Sequence, residues 1–184
     1  MKDFFKSIPT IHTKRLTLRK IDMSDLADMY EYSKDDEVTR FLLWESHKSI
    51  RHTAAYLKLL KKYYAKGLFY DWAVIERESG RMIGTCGFAK IDEVNRCAEL
   101  GYVLNRKCWG RGYAQEAARA VMKIGFETLD LKRIEARFMT ENKASARVME
   151  KLGMRFEGVK RASLYVKGSF RDIGYYSILQ EEFI

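Results

Sequence analysis

Proline is almost missing from this chain: Pro9 is the single one in 184 residues, and no Gly/Ser-rich or Pro-rich stretch interrupts the sequence. Interdomain linkers are commonly built from such stretches, so one domain over residues 1–184 is the expectation. Cysteine and histidine are equally scarce. Cys86, Cys97 and Cys108 are odd in number and form no Cys-x-x-Cys pair, and His12, His47 and His52 all lie far upstream. That pattern argues against a disulfide framework and against a zinc site, so no metal is expected. Long apolar runs are lacking as well: no segment approaches membrane-spanning length, and the opening Met-Lys-Asp-Phe-Phe-Lys puts charges where a secretory peptide needs an apolar run. A cytoplasmic location is expected.

What is present is enough hydrophobic residue, 47%, to bury one core. The charge balance, 34 basic against 25 acidic for a net +9, suits anionic partners such as phosphates, an acidic protein or a ribosomal surface, and equally an ordinary solvated surface. No Lys/Arg block with interleaved aromatics marks a nucleic-acid groove.

Residues 14–20 alternate apolar and basic side chains (Leu16 and Leu18 against Arg15 and Arg19) and read as a first strand. Asp22 or Ser24 then caps a helix to about Ser33, and a second helix carrying Ala54, Ala55, Leu57, Leu59 and Leu60 runs to about Lys66, with Gly67 as its stop. Three β-type runs follow at 71–76, 81–91 and 96–104, separated by Ser79-Gly80 and by polar residues 92–95, and look like an antiparallel meander. From Gly112 the period changes to helical, with Ala114, Ala117, Ala118, Val121, Met122 and Gly125 on one face to near Thr128. A strand at 133–140, a helix opened by Asn142 and stopped by Gly153, and two strands at about 156–166 and 170–179 joined by Lys167-Gly168 complete a mixed α+β order.

The chemistry concentrates where the strand at 99–104 runs through residues 105–112 into a helix. Unpaired N–H groups gather at such a point and bind anions. Gly110 and Gly112 permit positive φ and close approach, while Arg106, Lys107 and Arg111 add charge. A diphosphate is the natural guest. No Gly-Lys-Ser/Thr follows for a Mg-nucleotide, and the glycine spacing does not match a dinucleotide fingerprint. A Gly-x-Gly at a helix start is also a common purely structural feature.

Glu99-Leu-Gly-Tyr-Val-Leu through Trp109-Gly-Arg-Gly-Tyr-Ala-Gln-Glu-Ala117 resembles the acetyl-CoA motif of the GNAT N-acetyltransferases. More narrowly, it resembles their ribosomal-protein-alanine (Rim-type) branch. Thr13-Lys-Arg-Leu-Thr-Leu-Arg19, Asn142-Lys-Ala-Ser145, Glu150-Lys-Leu-Gly153, Phe156-Glu-Gly158 and Gly168-Ser-Phe-Arg-Asp172 extend the likeness in order along nearly the whole chain. The resemblance implies a GNAT-like fold with a splayed mixed sheet flanked by helices. It also implies direct acetyl transfer from acetyl-CoA to a primary amine, with a protein N-terminal α-amine foremost. A small amine (antibiotic or polyamine) acceptor and a non-catalytic CoA-binding or ribosome-associated module are the alternatives, and a homodimer is compatible with all of them.

By the same resemblance, N–H groups of about Trp109, Gly110, Arg111, Gly112, Tyr113 and Ala114 hold the pyrophosphate, with Lys107 where the family usually has Gln or Arg. The strand end at Val103 and Leu104 pairs with pantetheine, and one of its N–H groups polarises the thioester carbonyl. Asn142 and Ser145, at helical spacing with Met149, meet the pantetheine and its departing thiolate, although Asn142 is equally a good N-cap. Met149 stands where many members carry a Tyr acid, and methionine cannot donate a proton. Ser145 is the replacement, and Glu99 is the nominated base, with a plain salt bridge as its alternative. Asp172 either positions the amine or is structural. Cys108 is either a reactive thiol or an ordinary neutral cysteine. Tyr63, Tyr64, Phe69, Tyr70, Trp72 and Trp44 line an acceptor cleft or belong to the core.

Overall fold

The computed structural model describes residues 1–183. Eight strands form one mixed sheet in the order β1-β2-β3-β4-β5-β6-β8-β7. These are β1 (Ile11–His12), β2 (Leu16–Arg19), β3 (Asp71–Glu76), β4 (Met82–Asp92), β5 (Cys97–Leu104), β6 (Arg133–Met139), β7 (Arg155–Val166) and β8 (Ser169–Leu179). The flanking helices are α1 (Lys2–Lys6), α2 (Leu26–Ser33), α3 (Asp36–Thr39), α4 (Ile50–Ala65), α5 (Tyr113–Glu127) and α6 (Lys143–Lys151). The expected β3-β4-β5 meander is present, as are the four longer helices. The short elements α1, β1 and α3 carry too few residues to generate a readable period.

Local chemistry accounts for the boundaries. The Asp22 side chain accepts from Ser24 N and starts the turn ahead of α2, and the Ser49 hydroxyl accepts from His52 N to start α4. The Lys167-Gly168 turn between β7 and β8 has φ of 50° and 77°, the left-handed pair that matches hairpin twist. Along α5, Ala117, Ala118, Val121, Met122, Gly125 and Phe126 are buried in a stripe at helical spacing. Gly125 leaves room for two sheet side chains: a Cβ there would lie 2.9 Å from Ile134 Cδ1 and 3.0 Å from Phe88 Cζ. Trp72 and Tyr64 are fully buried, with the Trp72 indole N–H on Pro9 O at 2.8 Å and the Tyr64 hydroxyl on Asp71 O at 2.5 Å. Both are core residues.

Two irregularities shape the middle of the sheet. Phe88 pairs with Leu100 but Lys90 pairs with Glu99, so Ala89 is an extra residue that bulges β4. β5 and β6 are parallel and paired only at Cys97/Arg133, Ala98/Ile134 and Glu99/Glu135. Beyond Glu99 the strands part, while β6 continues to pair with β8 as far as Met139. Residues 100–104 therefore have no strand partner on the β6 side, and the sheet opens into a wedge. This is the splay implied by the family resemblance.

Candidate active site

The free edge of β5 forms one wall of a groove of about 380 Å³. Tyr102, Val103 and Leu104 lead into Trp109, Gly110, Gly112, Tyr113 and Ala114, and α6 closes the far side. The turn is locked from within: Asn105 Oδ1 accepts from Lys107 N at 3.0 Å, and the Trp109 indole N–H donates to Leu104 O at 2.9 Å. Gly110 and Gly112 have φ of +75° and +77°, a conformation costing other residues about 1–2 kcal/mol. The first helical N–H to find an acceptor is that of Glu116, on Gly112 O at 3.1 Å. Among the described residues no acceptor takes the N–H groups of residues 110–115. Several donors at a helix N-terminus suit a diphosphate, and the unpaired strand beside them suits an extended amide-bearing arm.

Two of the expected cations are directed elsewhere. The Lys107 ammonium sits 2.7 Å from Glu31 Oε1, in a cluster where Arg81 also binds Glu31 and Asp28. Lys107 and then Arg81 hold the Glu31 carboxyl down at about 2. Arg106 pairs with Asp35 at 2.9 Å, and neither Lys107 nor Arg111 lines the groove. Glu31 of α2 and Asp35, the N-cap of α3, hold the Lys107 and Arg106 side chains, which brace the turn. The cations that do line the groove are Arg147 and Lys151 of α6. With Ala144 and Val148 they form a helical stripe (144, 147, 148, 151) that is visible in the sequence spacing.

A second cavity of about 220 Å³ opens through the wedge. Phe41, Leu42, Leu43, Phe138, Met139, Leu164 and Ile173 make it largely apolar. Of the two alternatives for Tyr63, Tyr64, Phe69, Tyr70, Trp72 and Trp44, cleft lining is not met, since none of them lines this cavity; Phe41, Leu42 and Leu43 from the segment between α3 and α4 do so instead. Asp172 is also absent from the lining: its Oδ1 accepts from Ala162 N at 2.7 Å and its carbonyl from Thr140 N at 3.0 Å, which makes it structural.

Glu99 lines this cavity and simultaneously accepts from Arg137 Nε at 2.7 Å. The salt-bridge alternative for Glu99 is thus present, and the carboxylate also stands at the cavity wall where a base would have to be. Asn142 likewise combines two roles, accepting from Ser145 N at 3.2 Å as the cap of α6 while lining both cavities. Ser145 lines both as well, and its Oγ lies 2.9 Å from the hydroxyl of Tyr102, a residue the sequence reading passed over. Met149 is buried in the wall of the second cavity. Cys108 borders the cofactor groove, but burial raises its thiol above the ordinary value, the opposite of an activated thiolate.

The split sheet has a helix N-terminus with free N–H groups on one side and a carboxylate-bearing cavity on the other, an arrangement suited to acyl-CoA-dependent acyl transfer. Residues 15–155 match the family described as "Acetyltransferase (GNAT) domain". A curated relative named uncharacterized N-acetyltransferase p20, from Bacillus licheniformis, is 34% identical over 95% of this chain and 98% of its own length. The [ribosomal protein uS5]-alanine N-acetyltransferase of Escherichia coli is 24% identical over 94% of this chain and 92% of its own. A crystal structure of a GNAT-family acetyltransferase from Bacillus anthracis superimposes with a TM-score of 0.85 at 32% identity, covering 95% of this chain and all of that one. The chain belongs to the GNAT acetyltransferase family. It is an N-acetyltransferase with acetyl-CoA as its cosubstrate.

Proposed function

We propose that the acceptor is a protein N-terminal α-amine; the name of the E. coli relative gives an alanine of a ribosomal protein as the group that enzyme acetylates. The observation that carries this reading is the charge of the acceptor cavity. Among its lining residues Glu99 is the single carboxylate, and it is already paired with Arg137. A polyamine or aminoglycoside needs several acidic partners, and the apolar wall supplies none. An N-terminal residue instead presents one amine to Glu99, its carbonyl to the remaining guanidinium N–H groups of Arg137, and its side chain to Leu43, Met139 and Ile173.

The acid–base demand agrees. An α-amine with pKa near 8 is roughly a tenth neutral at pH 7, against well under a thousandth for a lysine near 10.4. Glu99 takes the proton as the amine attacks, directly or through water. A backbone N–H near Val103 holds the thioester oxygen, the α6 face at Asn142 and Ser145 meets the pantetheine, and the N–H groups of residues 110–114 hold the diphosphate. The three free cysteines fit a reducing, cytoplasmic setting.

Thiol release measured against a panel settles the acceptor. Peptides with free N-termini, the same peptides N-blocked but carrying an internal lysine, polyamines and aminoglycosides form the arms. Free N-termini are expected to lead in kcat/KM by at least an order of magnitude. Preference for a polyamine or aminoglycoside would overturn the reading, and acetyl-CoA binding without release on any arm would make the chain a binding module.

A further inference from the structure

The two cavities share five lining residues: Phe41, Leu42, Tyr102, Asn142 and Ser145. Acetyl transfer takes place where the cofactor groove meets the acceptor cavity, so a thioester sulfur must lie against this set. Two of the five carry hydroxyls, and these touch each other. Tyr102 lies on the part of β5 that has already left β6, and its Oη is 2.9 Å from Ser145 Oγ and 3.2 Å from Ser145 O. Met149, one turn further along α6, fills the adjoining wall with a thioether that has no hydrogen to give.

A serine hydroxyl has one hydrogen and two lone pairs, so its orientation is decided by its neighbour. If Tyr102 donates to Ser145 O, then Ser145 spends its own hydrogen on the phenol oxygen, and a sulfur at the junction meets no hydroxyl hydrogen. If Tyr102 donates to Ser145 Oγ, the serine hydrogen is released to point at the sulfur. A departing thiolate selects the second arrangement, because a hydrogen bond to an anion is about twice as strong as a neutral one.

We propose that Tyr102 and Ser145 form a two-hydroxyl unit that stabilises the departing thiolate, with Tyr102 donating to Ser145 Oγ and Ser145 donating to the sulfur. The proposal rests on the reading that Ser145 faces the thiolate. Tyr102 is the positioning residue in it. During transfer the C–N bond forms, the C–S bond breaks with its electron pair going to sulfur, and the amine proton leaves to Glu99 or water. Burial pushes the Tyr102 phenol above its ordinary value, so it keeps its proton throughout and acts as a fixed donor. A thiol near pKa 8.5 departs as thiolate and takes its proton from water afterwards. The unit thus replaces a tyrosine acid by two aligned hydrogen bonds, one residue drawn from β5 and one from α6.

Single-turnover acetyl transfer by Tyr102→Phe, Ser145→Ala, Ser145→Thr and the Tyr102→Phe/Ser145→Ala double variant tests the unit. Tyr102→Phe keeps the ring and is expected to slow transfer roughly five- to tenfold, the size of one hydrogen bond, with KM for acetyl-CoA changed less than about twofold. That loss is expected to stay constant from about pH 6 to 9, since the phenol does not ionise there. The double variant is expected to be no slower than Ser145→Ala alone, and Ser145→Thr, which keeps the hydroxyl, to restore transfer. A normal rate in Tyr102→Phe alongside a slow Ser145→Ala would overturn the role of Tyr102 and leave that of Ser145 standing. A normal rate in Ser145→Ala would remove both. Losses that add in the double variant, or a rise in KM alone, would reduce Tyr102 to packing.

Discussion

At the scale of single residues, Glu99 carries the most consequence. It faces the acceptor cavity while bonded to Arg137, so it is held in place and does not swing freely. Positioned bases typically contribute about 10²–10⁴ in rate. Glu99→Gln should therefore lower kcat/KM by about a hundredfold at pH 6 and by much less above pH 8, where an α-amine sheds its own proton. A pH–rate profile parallel to that of the wild type would exclude the base role. Glu99 was legible from the strand alternation and the family motif together. Tyr102 was not, because its value lies in a hydroxyl of another element 43 positions away in sequence. The partner of the Lys107 side chain was not legible for the converse reason: a cation beside a turn is drawn to whichever anion is nearest in space, and for Lys107 that is Glu31 of α2.

At the scale of elements, the 105–112 turn and α5 act as one piece. Gly112 is the N-cap of α5 with φ +77°, and a Cβ there would stand 3.5 Å from Arg15 Nη2, so backbone angle rather than crowding is what demands glycine. Gly112→Val forces either about 1–2 kcal/mol of strain or a rotated turn that scatters its N–H groups. Calorimetry should show acetyl-CoA binding weakened by about tenfold or more while far-UV circular dichroism stays unchanged; unaltered affinity would remove the turn from the cofactor site. This element was readable in advance because everything it needs is contiguous: a strand, two glycines and a helical stripe. The same contiguity made the Asn142 cap and the Lys167-Gly168 hairpin readable.

At the scale of the whole molecule, one half-buried acid ties stability to pH. Asp71, at the start of β3, is pushed up by burial to about 7. Its native-state value lies above the ordinary carboxylate value, so the folded chain binds more protons than the unfolded chain between those limits. Stability from this group is full below about pH 4 and declines as pH rises through 7. Asp71→Asn removes that decline: its melting temperature should exceed that of the wild type at pH 8 and converge with it near pH 4. An equal offset at both pH values would show that the carboxyl does not titrate as described. By itself the sequence determined the α+β class, the long elements, the strand–turn–helix around Gly110 and Gly112 and the family, since these are written in local period, capping chemistry and ordered motifs. Only the tertiary structure decided that β5 and β6 part after Glu99, that the 40–49 segment walls the acceptor cavity with Phe41, Leu42 and Leu43, and that Tyr102 meets Ser145. Those are contacts between residues far apart in the chain, and no local pattern encodes which distant partner a side chain will reach once the core has closed.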